Sequence, residues 1–292
     1  MATIKHALLL FSKPPIPGQV KTRLTVEKGG LFSPEEAAEF FKRSIFDVTE
    51  MGFQALWQLE EEDAAARQAD PEAPTNVYDF FISTTPAENL EVMQQTYAAA
   101  GDWPRPIEFL VDRGANFDEH FDDAFMQIFA LGYADLVAVG GDQPTMPRSH
   151  ITRAFQWLAY LARTYQNGGL VQCPCQECGV SLIGWTAQTP MSHAGVYYNM
   201  DGRPALDAYV QKCQAAGVQM VSLDPVADVD NVQDLAHTTS VLRALAYSAE
   251  AQPDAFVARR TLDWLNYQGI RVGTPPNSDF DSRAGIDLPV PK

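Results

Sequence analysis

The sequence predicts an α/β protein with a mostly parallel central sheet flanked by helices. Three observations carry that prediction. Short apolar runs alternate along the chain with segments of helical period. The first run, residues 4–11, empties into a loop rich in proline and lysine, and a later one ends at Gly140-Gly141-Asp142. Strands separated by helices make βαβ units with right-handed crossovers, and such sheets bind ligands beyond the carboxyl ends of their strands. Both loops lie at such ends.

The opening strand delivers Lys13-Pro14-Pro15-Ile16-Pro17-Gly18-Gln19-Val20-Lys21-Thr22-Arg23. Prolines fix φ and remove conformational freedom, while Gly18 permits an otherwise strained turn. Lys13, Lys21 and Arg23 could then converge on an oligophosphate at small ordering cost. Read alone, the loop is equally a surface turn with solvated cations. Next, Ser33-Pro34-Glu35-Glu36 forms a capping box. The apolar positions that follow have helical spacing as far as Gly52, which is expected to end the helix. Residues 53–59 then read as a strand, and 60–75, acidic and alanine-rich with two prolines, as a surface insertion.

The alternation continues with strands at 77–83, 107–111 and 135–139 and helices at 86–100, 117–131 and 148–164. Two short strands, 170–172 and 181–184, flank a cysteine cluster. A helix at 204–216 and a strand at 218–223 precede Asp228-Val229-Asp230-Asn231, where a helix begins and runs to about 248. An amphipathic helix spans 254–267, and residues 273–292 read as an extended tail. The expected division is residues 1–248 as the nucleotide-binding domain and 249–292 as a C-terminal helical extension and tail.

Composition narrows the function. The chain has 292 residues and a formal net charge of -16, so a nucleic-acid backbone or an anionic membrane surface is repelled on average. No run approaches the ~18 apolar residues of a membrane span, and no secretory leader is evident. The expectation is a soluble cytoplasmic protein without nucleic-acid or membrane partners. Its four cysteines are too few and too bunched for a disulfide framework in a chain this long.

Asp142, after an apolar strand and two glycines, is placed either to hold a hard divalent cation that also contacts ligand phosphates or to cap the helix before Arg148. Asp228 and Asp230 also follow a strand. Either could complete a two-carboxylate site with Asp142, or they could serve as a cap and a solvated turn. Cys173, Cys175 and Cys178 could bind zinc with a fourth ligand such as His193, although buried or incidental thiols account for them without a metal. His6, His150 and His237 show no partners and receive no role.

Three ordered motifs resemble one known family. Leu8 to Leu24 closely resembles the opening motif, a strand and then Phe-x-Lys-x-Pro-x-Pro-Gly-x-Val-Lys-Thr-Arg-Leu, of small bacterial nucleotide-diphospho-sugar transferase-like proteins, the glycosyltransferase-like or radical-SAM/selenodomain-associated transferases. Gly140-Gly141-Asp142-Gln143-Pro144 resembles their Gly-Ser-Asp-x-Pro, and Asp228-Val229-Asp230-Asn231-Val232-Gln233-Asp234-Leu235 their Asp-Val-Asp-Thr-Pro-x-Asp-Leu. The resemblance implies a GT-A-like fold, akin to the molybdenum-cofactor and phospholactate nucleotidyltransferases. It also implies a metal-dependent transferase that moves a glycosyl or nucleotidyl group from a nucleotide or nucleotide-sugar donor to a small-molecule acceptor. Lys13, Gly18, Lys21 and Arg23 would meet the phosphates, and Asp142, Asp228 and Asp230 would hold Mg²⁺ or Mn²⁺, with Asp142 and Asp230 as the catalytic pair.

Two stretches depart from the family pattern. Gly-Pro-Ala-x-Asp-Gly-Gly-Tyr-Tyr has become Cys173-Pro174-Cys175-Gln176-Glu177-Cys178-Gly179-Val180-Ser181, and in Gly-x-x-Leu-Gly-x-Arg a glycine has become Asp118 and an arginine His120. By the resemblance these loops line the acceptor and sugar side. The ligand then differs from the family's, or the chain is a catalytically degenerate relative that binds a nucleotide or a partner.

Overall fold

The computed structural model describes residues 3–252 and 254–273. One sheet holds seven strands: β1 (Thr3–Phe11), β2 (Thr75–Thr84), β3 (Glu108–Val111), β4 (Asp135–Gly140), β5 (Gly169–Pro174), β6 (Val180–Thr186) and β7 (Gln219–Ser222). Their spatial order is β3-β2-β1-β4-β6-β5-β7. Only β6 runs antiparallel to its neighbours, β4 and β5; the other adjacent pairs are parallel. This is the mostly parallel, helix-flanked α/β sheet that the sequence predicts.

The helices are α1 (Pro34–Ala69), α2 (Asn89–Ala99), α3 (Phe117–Ala130), α4 (Arg148–Thr164), α5 (Ala205–Ala216), α6 (Val232–Ser248) and α7 (Arg259–Tyr267). β1 shows why they divide between two faces. Its alternate residues Leu8 and Leu10 join a core with α1, α2 and α4, whereas Ala7 and Leu9 join one with α3 and α5. A strand buried on both faces reads as a continuous apolar run. A third core unites Leu24, the start of α1, Val229, α6 and α7.

The largest correction concerns α1. Its N-terminus is the expected capping box: Ser33 Oγ accepts from Glu36 N–H at 3.1 Å, and Ser33 N–H donates to the Glu36 carboxylate at 2.8 Å. The helix does not stop at Gly52. It continues unbroken through the residues expected to form a strand and an insertion, to Ala69. Phe53, Leu56 and Leu59 are all buried, and their spacing of three suits a helix as well as a short strand. Gly52 is there for contact: a Cβ on it would lie 2.9 Å from Phe80 Cε2 and 3.0 Å from Leu8 Cδ2. The glycine lets the helix lie close against the sheet.

The last helix begins at Arg259 rather than at 254. Its first turn is capped from outside: the buried Asp47 of α1 accepts from the backbone N–H groups of Arg260 and Thr261 at 3.2 and 2.8 Å. The expected tail, from 274 onward, lies outside the described residues. No helix among the described residues is long and apolar enough to cross a membrane.

Burial, with a smaller contribution from nearby Glu50, pushes the Asp47 carboxyl up to about 6 despite these two donors. A carboxyl whose folded value lies above its unfolded value of 3.8 favours the native state most below pH 4, and that contribution fades as pH rises through about 6. The stability of the wild type relative to Asp47→Asn is therefore expected to fall between pH 4 and pH 7 by up to about 3 kcal/mol. Urea unfolding of both proteins across that range reads the difference. Asp47→Ala, which leaves two N–H groups without their acceptor, should lose about 2–4 kcal/mol near pH 4, and that deficit should narrow toward pH 7 by the same amount as in Asp47→Asn.

Candidate active site

The carboxyl ends of the parallel strands open on a cleft of about 730 Å³. Its floor is built strand by strand. β1 leads into Ser12 and Lys13, β2 into Ser83 and Thr85, β3 into Asp112, and β4 into Gly140-Gly141-Asp142. The antiparallel β6 presents its first residues, Val180 to Ile183, at the same edge. At Gly141 a side chain is excluded by close approach, since a Cβ would lie 2.5 Å from Ile45 of α1 and 3.0 Å from Ser12 Oγ. Ser44 Oγ donates to the Gly141 carbonyl at 2.7 Å and fixes the turn.

Lys21 is the centre of the charged end. Its Nζ donates to Asp142 Oδ2 at 2.6 Å and to Asp230 Oδ1 at 3.0 Å, and its side chain is only 8% exposed. Arg23, largely solvent-facing, reaches the other Asp230 oxygen at 3.2 Å. Desolvation opposes the Lys21 charge, but the two carboxylates outweigh it and hold the ammonium above its ordinary value. Burial, then the proximity of Asp142 and Asp230, pushes the Asp228 carboxyl up to about 6. Cys175 Sγ donates to that carboxyl at 3.5 Å.

The caps left open by the sequence are taken by other residues. Pro147 stands at the N-cap of α4, not Asp142. Asn231 caps α6 in a box with Asp234, which leaves Asp230 directed at Lys21 and Arg23. The fold therefore brings Lys21, Arg23, Asp142, Asp228 and Asp230 together. Lys13 is exposed on the cleft wall. Gly18 has φ 76° and is exposed at the turn, so its part is conformational.

Among the described residues, no group of three or more His, Cys, Asp or Glu side chains forms a ready-made metal cage. The donor set still suits Mg²⁺ or Mn²⁺. Asp142 and Asp230 come from different loops and aim hard oxygen donors at one point, the Lys21 ammonium. Mg²⁺ needs only one or two carboxylates when ligand phosphates and water supply the rest. The zinc alternative has no such geometry. Cys173 is buried with Sγ 3.0 Å from the Asp224 carbonyl, Cys175 faces Asp228, and Cys178 is exposed. His193 belongs to the core on the other face of the sheet, stacked on Phe121, with Nδ1 2.6 Å from the Tyr209 hydroxyl.

The two departures from the family pattern have different consequences. In the cysteine stretch, Gln176 Nε2 donates to the Asp228 carbonyl at 2.6 Å while its Oε1 accepts from Asp228 N–H at 3.2 Å. Ser181 Oγ donates to the Val226 carbonyl at 2.5 Å. This stretch thus fixes the loop that carries Asp228 and Asp230. Asp118 does not face the cleft at all. It is buried, and its carboxylate accepts from the backbone N–H groups of Val196, Tyr197 and Tyr198 at 2.9–3.2 Å.

His120 does line the cleft. Its Nδ1 lies 2.8 Å from Asp112 Oδ1 and 3.2 Å from Thr85 Oγ. Ser83 Oγ donates to Asp112 Oδ2 at 2.5 Å. Sequence reasoning missed Asp112, Ser83 and Thr85. Their signal was position alone, each polar residue standing at or just after the end of an apolar strand.

These features can be set beside known proteins. Residues 75–200 match the model of a family described as "Uncharacterized protein conserved in bacteria (DUF2064)". That segment includes Asp112, His120 and Asp142 but not Lys21, Asp228 or Asp230. A structure from Desulfovibrio desulfuricans G20, assigned as a nucleotide-diphospho-sugar transferase, superposes with a TM-score of 0.65 at 21% identity, covering 90% of this chain and 95% of that one. The fold is nucleotide-diphospho-sugar transferase-like. A cytidylyltransferase from Leptospira borgpetersenii serovar Hardjo-bovis (strain JB197) is a more distant likeness, with a TM-score of 0.47 and 10% identity over 91% of this chain and 95% of that one. No curated protein sequence matches the chain.

The shared ammonium makes a stability prediction in this nucleotide-diphospho-sugar transferase-like fold. Lys21→Met should destabilise the metal-free protein by about 1–2 kcal/mol, because two partly exposed carboxylates lose the buried ammonium that they share. The double variant Lys21→Met with Asp142→Asn should lose less than the sum of the two single changes, as expected of groups in direct contact. Urea unfolding of the four proteins in the cycle measures the coupling, and strict additivity would show that the pair does not interact.

Proposed function

We propose that this chain is a divalent-cation-dependent transferase that takes a nucleotide or nucleotide-sugar donor and moves a glycosyl or nucleotidyl group to a small acceptor. The observation that carries the reading is the convergence of Asp142 and Asp230 on one point, with Lys21 between them, beside a cleft of about 730 Å³ that has the volume for a nucleotide. Fold similarity agrees with this reading but does not assign the chemistry.

Each residue then has a task. Asp142 and Asp230 would hold Mg²⁺ or Mn²⁺, with Asp228 behind them, and the bound cation would neutralise charge on the donor phosphates. Lys13 and Arg23 offer exposed charge to the outer phosphate oxygens. Lys21 holds the two carboxylates together in a fixed geometry and presents one ammonium beside the phosphates. Transfer at phosphorus or at an anomeric carbon needs little beyond such positioning and charge neutralisation.

The wild-type protein is expected to show a rise in melting temperature with nucleoside diphosphates or nucleotide sugars only when Mn²⁺ or Mg²⁺ is present, since ligands that bind the native state raise its stability. Asp142→Asn should remove that shift while the ligand-free melting profile stays cooperative. Product formation from the donor that gives the largest shift tests turnover. Metal-dependent binding without product would replace the transferase with the degenerate binder, and a full shift in Asp142→Asn would remove Asp142 from the metal site.

A further inference from the structure

The turn between β5 and β6 carries two thiols that the proposed chemistry does not use. Cys175 is half-buried and Cys178 exposed, whereas Cys173 and Cys213 are buried. The chain doubles back over residues 175–179 through left-handed backbone at Glu177 (φ 57°) and Cys178 (φ 62°). Cys175 N–H donates to the Gly179 carbonyl at 3.0 Å and closes the turn. A Cβ at residue 179 would lie 2.6 Å from Cys175 Sγ, so glycine gives that sulfur its room, one residue from Cys178. A disulfide needs its two Cα atoms about 4.4–6.8 Å apart, a separation that a two-residue spacer in such a turn can meet.

The spacer is also the clamp on the acidic loop. Gln176, the first of its two residues, donates to the Asp228 carbonyl at 2.6 Å and accepts from Asp228 N–H at 3.2 Å. Cys175 Sγ itself donates to the Asp228 carboxyl at 3.5 Å. A bond between the two sulfurs takes the thiol hydrogen away from Asp228 and re-aims the backbone that directs Gln176. Ser181 Oγ and the Pro174 carbonyl hold Val226 and lie outside the ring so formed. The release is therefore confined to the segment from Asp228 onward, which carries Asp230 as well.

We propose that Cys175 and Cys178 are a redox-sensitive pair, oxidised by a peroxide to an intramolecular disulfide that frees Asp228 and weakens the cation site. The effect on the cation site rests on the donor reading above. Cys178, being exposed, meets the oxidant first. Its sulfur takes one peroxide oxygen, the O–O bond breaks, and the thiol proton leaves with the other oxygen as water, giving a sulfenic acid. Cys175 Sγ then bonds to the Cys178 sulfur, the S–O bond breaks, and the oxygen leaves with the Cys175 proton as a second water. The sulfurs give up two electrons in all, and the peroxide takes them. Cys175, its thiol pushed up to about 12 by burial and by Asp228, is the slower partner and acts second.

The test treats the full, reduced chain with hydrogen peroxide and compares it with untreated protein. Mass spectrometry is expected to find two hydrogens lost and the link between Cys175 and Cys178, reversed by dithiothreitol. Hydrogen exchange at the Asp228 amide, which loses its Gln176 acceptor, should quicken several-fold. Affinity for inorganic pyrophosphate with Mn²⁺ should fall about tenfold, the usual cost of lost support behind a metal ligand. Cys178→Ser should behave as the reduced wild type in both readouts and stay so after peroxide.

Oxidation of Cys178 to a sulfinic acid with no link to Cys175 overturns the pair. So does a disulfide that leaves exchange at the Asp228 amide as it was. A disulfide with quickened exchange and unchanged pyrophosphate affinity overturns its control of the cation site and leaves the donor reading standing. If the reduced protein binds no pyrophosphate with Mn²⁺, the donor reading falls, and exchange at Asp228 alone decides the pair. Should Cys178→Ser not fold, Cys178→Gly, which suits left-handed backbone, takes its place, and a response to peroxide that survives in it overturns the proposal.

Discussion

The ammonium of Lys21, shared by Asp142 and Asp230, is the contact on which the geometry of the site rests. Three carboxylates in so small a volume repel one another, and without an internal cation the loops that carry them would splay. The chain accepts local strain to put the cation there: Lys21 has φ 47° and ψ 37°, a left-handed conformation that non-glycine residues seldom adopt. Such strain persists only where the surroundings over-determine the residue.

Those surroundings are the third core. Leu24, three residues after Lys21, and Val229, between Asp228 and Asp230, are both fully buried in it with residues of α6 and α7. One apolar cluster therefore anchors the cationic loop and the acidic loop together. Val229 N–H also donates to the Asp142 carbonyl at 3.1 Å, which ties in the third loop. The C-terminal helices, which contribute no residue to the cleft, set its charged end through packing alone. Asp47, holding the first turn of α7, thus acts on the site at one remove.

Much of this was legible in the sequence wherever local chemistry decides the outcome. Pro-Gly loops, capping boxes and apolar runs are short-range signals, and Lys13, Lys21, Arg23, Asp142 and Asp230 stood out because strand ends in parallel sheets carry ligands. What escaped depended on partners far along the chain. Gly52 reads as a helix stop until Phe80 and Leu8 are seen against it. Asp118 reads as a cleft residue until it is found holding the backbone at 196–198. Asp112 and His120 become a pair only because β3 ends beside the start of α3, and no spacing rule encodes that contact.

The charge of the whole molecule bears on what can enter the cleft. With a formal net charge of -16, the protein repels an approaching polyanion on average. Locally the balance is no better than even: Lys21 is already committed to two carboxylates and Arg23 to one of them, so Lys13 is the exposed cation of the loop without a carboxylate partner among the described residues. A bare nucleotide would meet little net attraction there. On the proposed reading, a nucleotide that arrives with a divalent cation would bring its own neutralisation, and the carboxylates that would repel the free phosphate would serve as ligands of that cation. The excess of acids over available bases, which argues against a simple phosphate-binding loop, thus favours a site that admits its anion together with a metal.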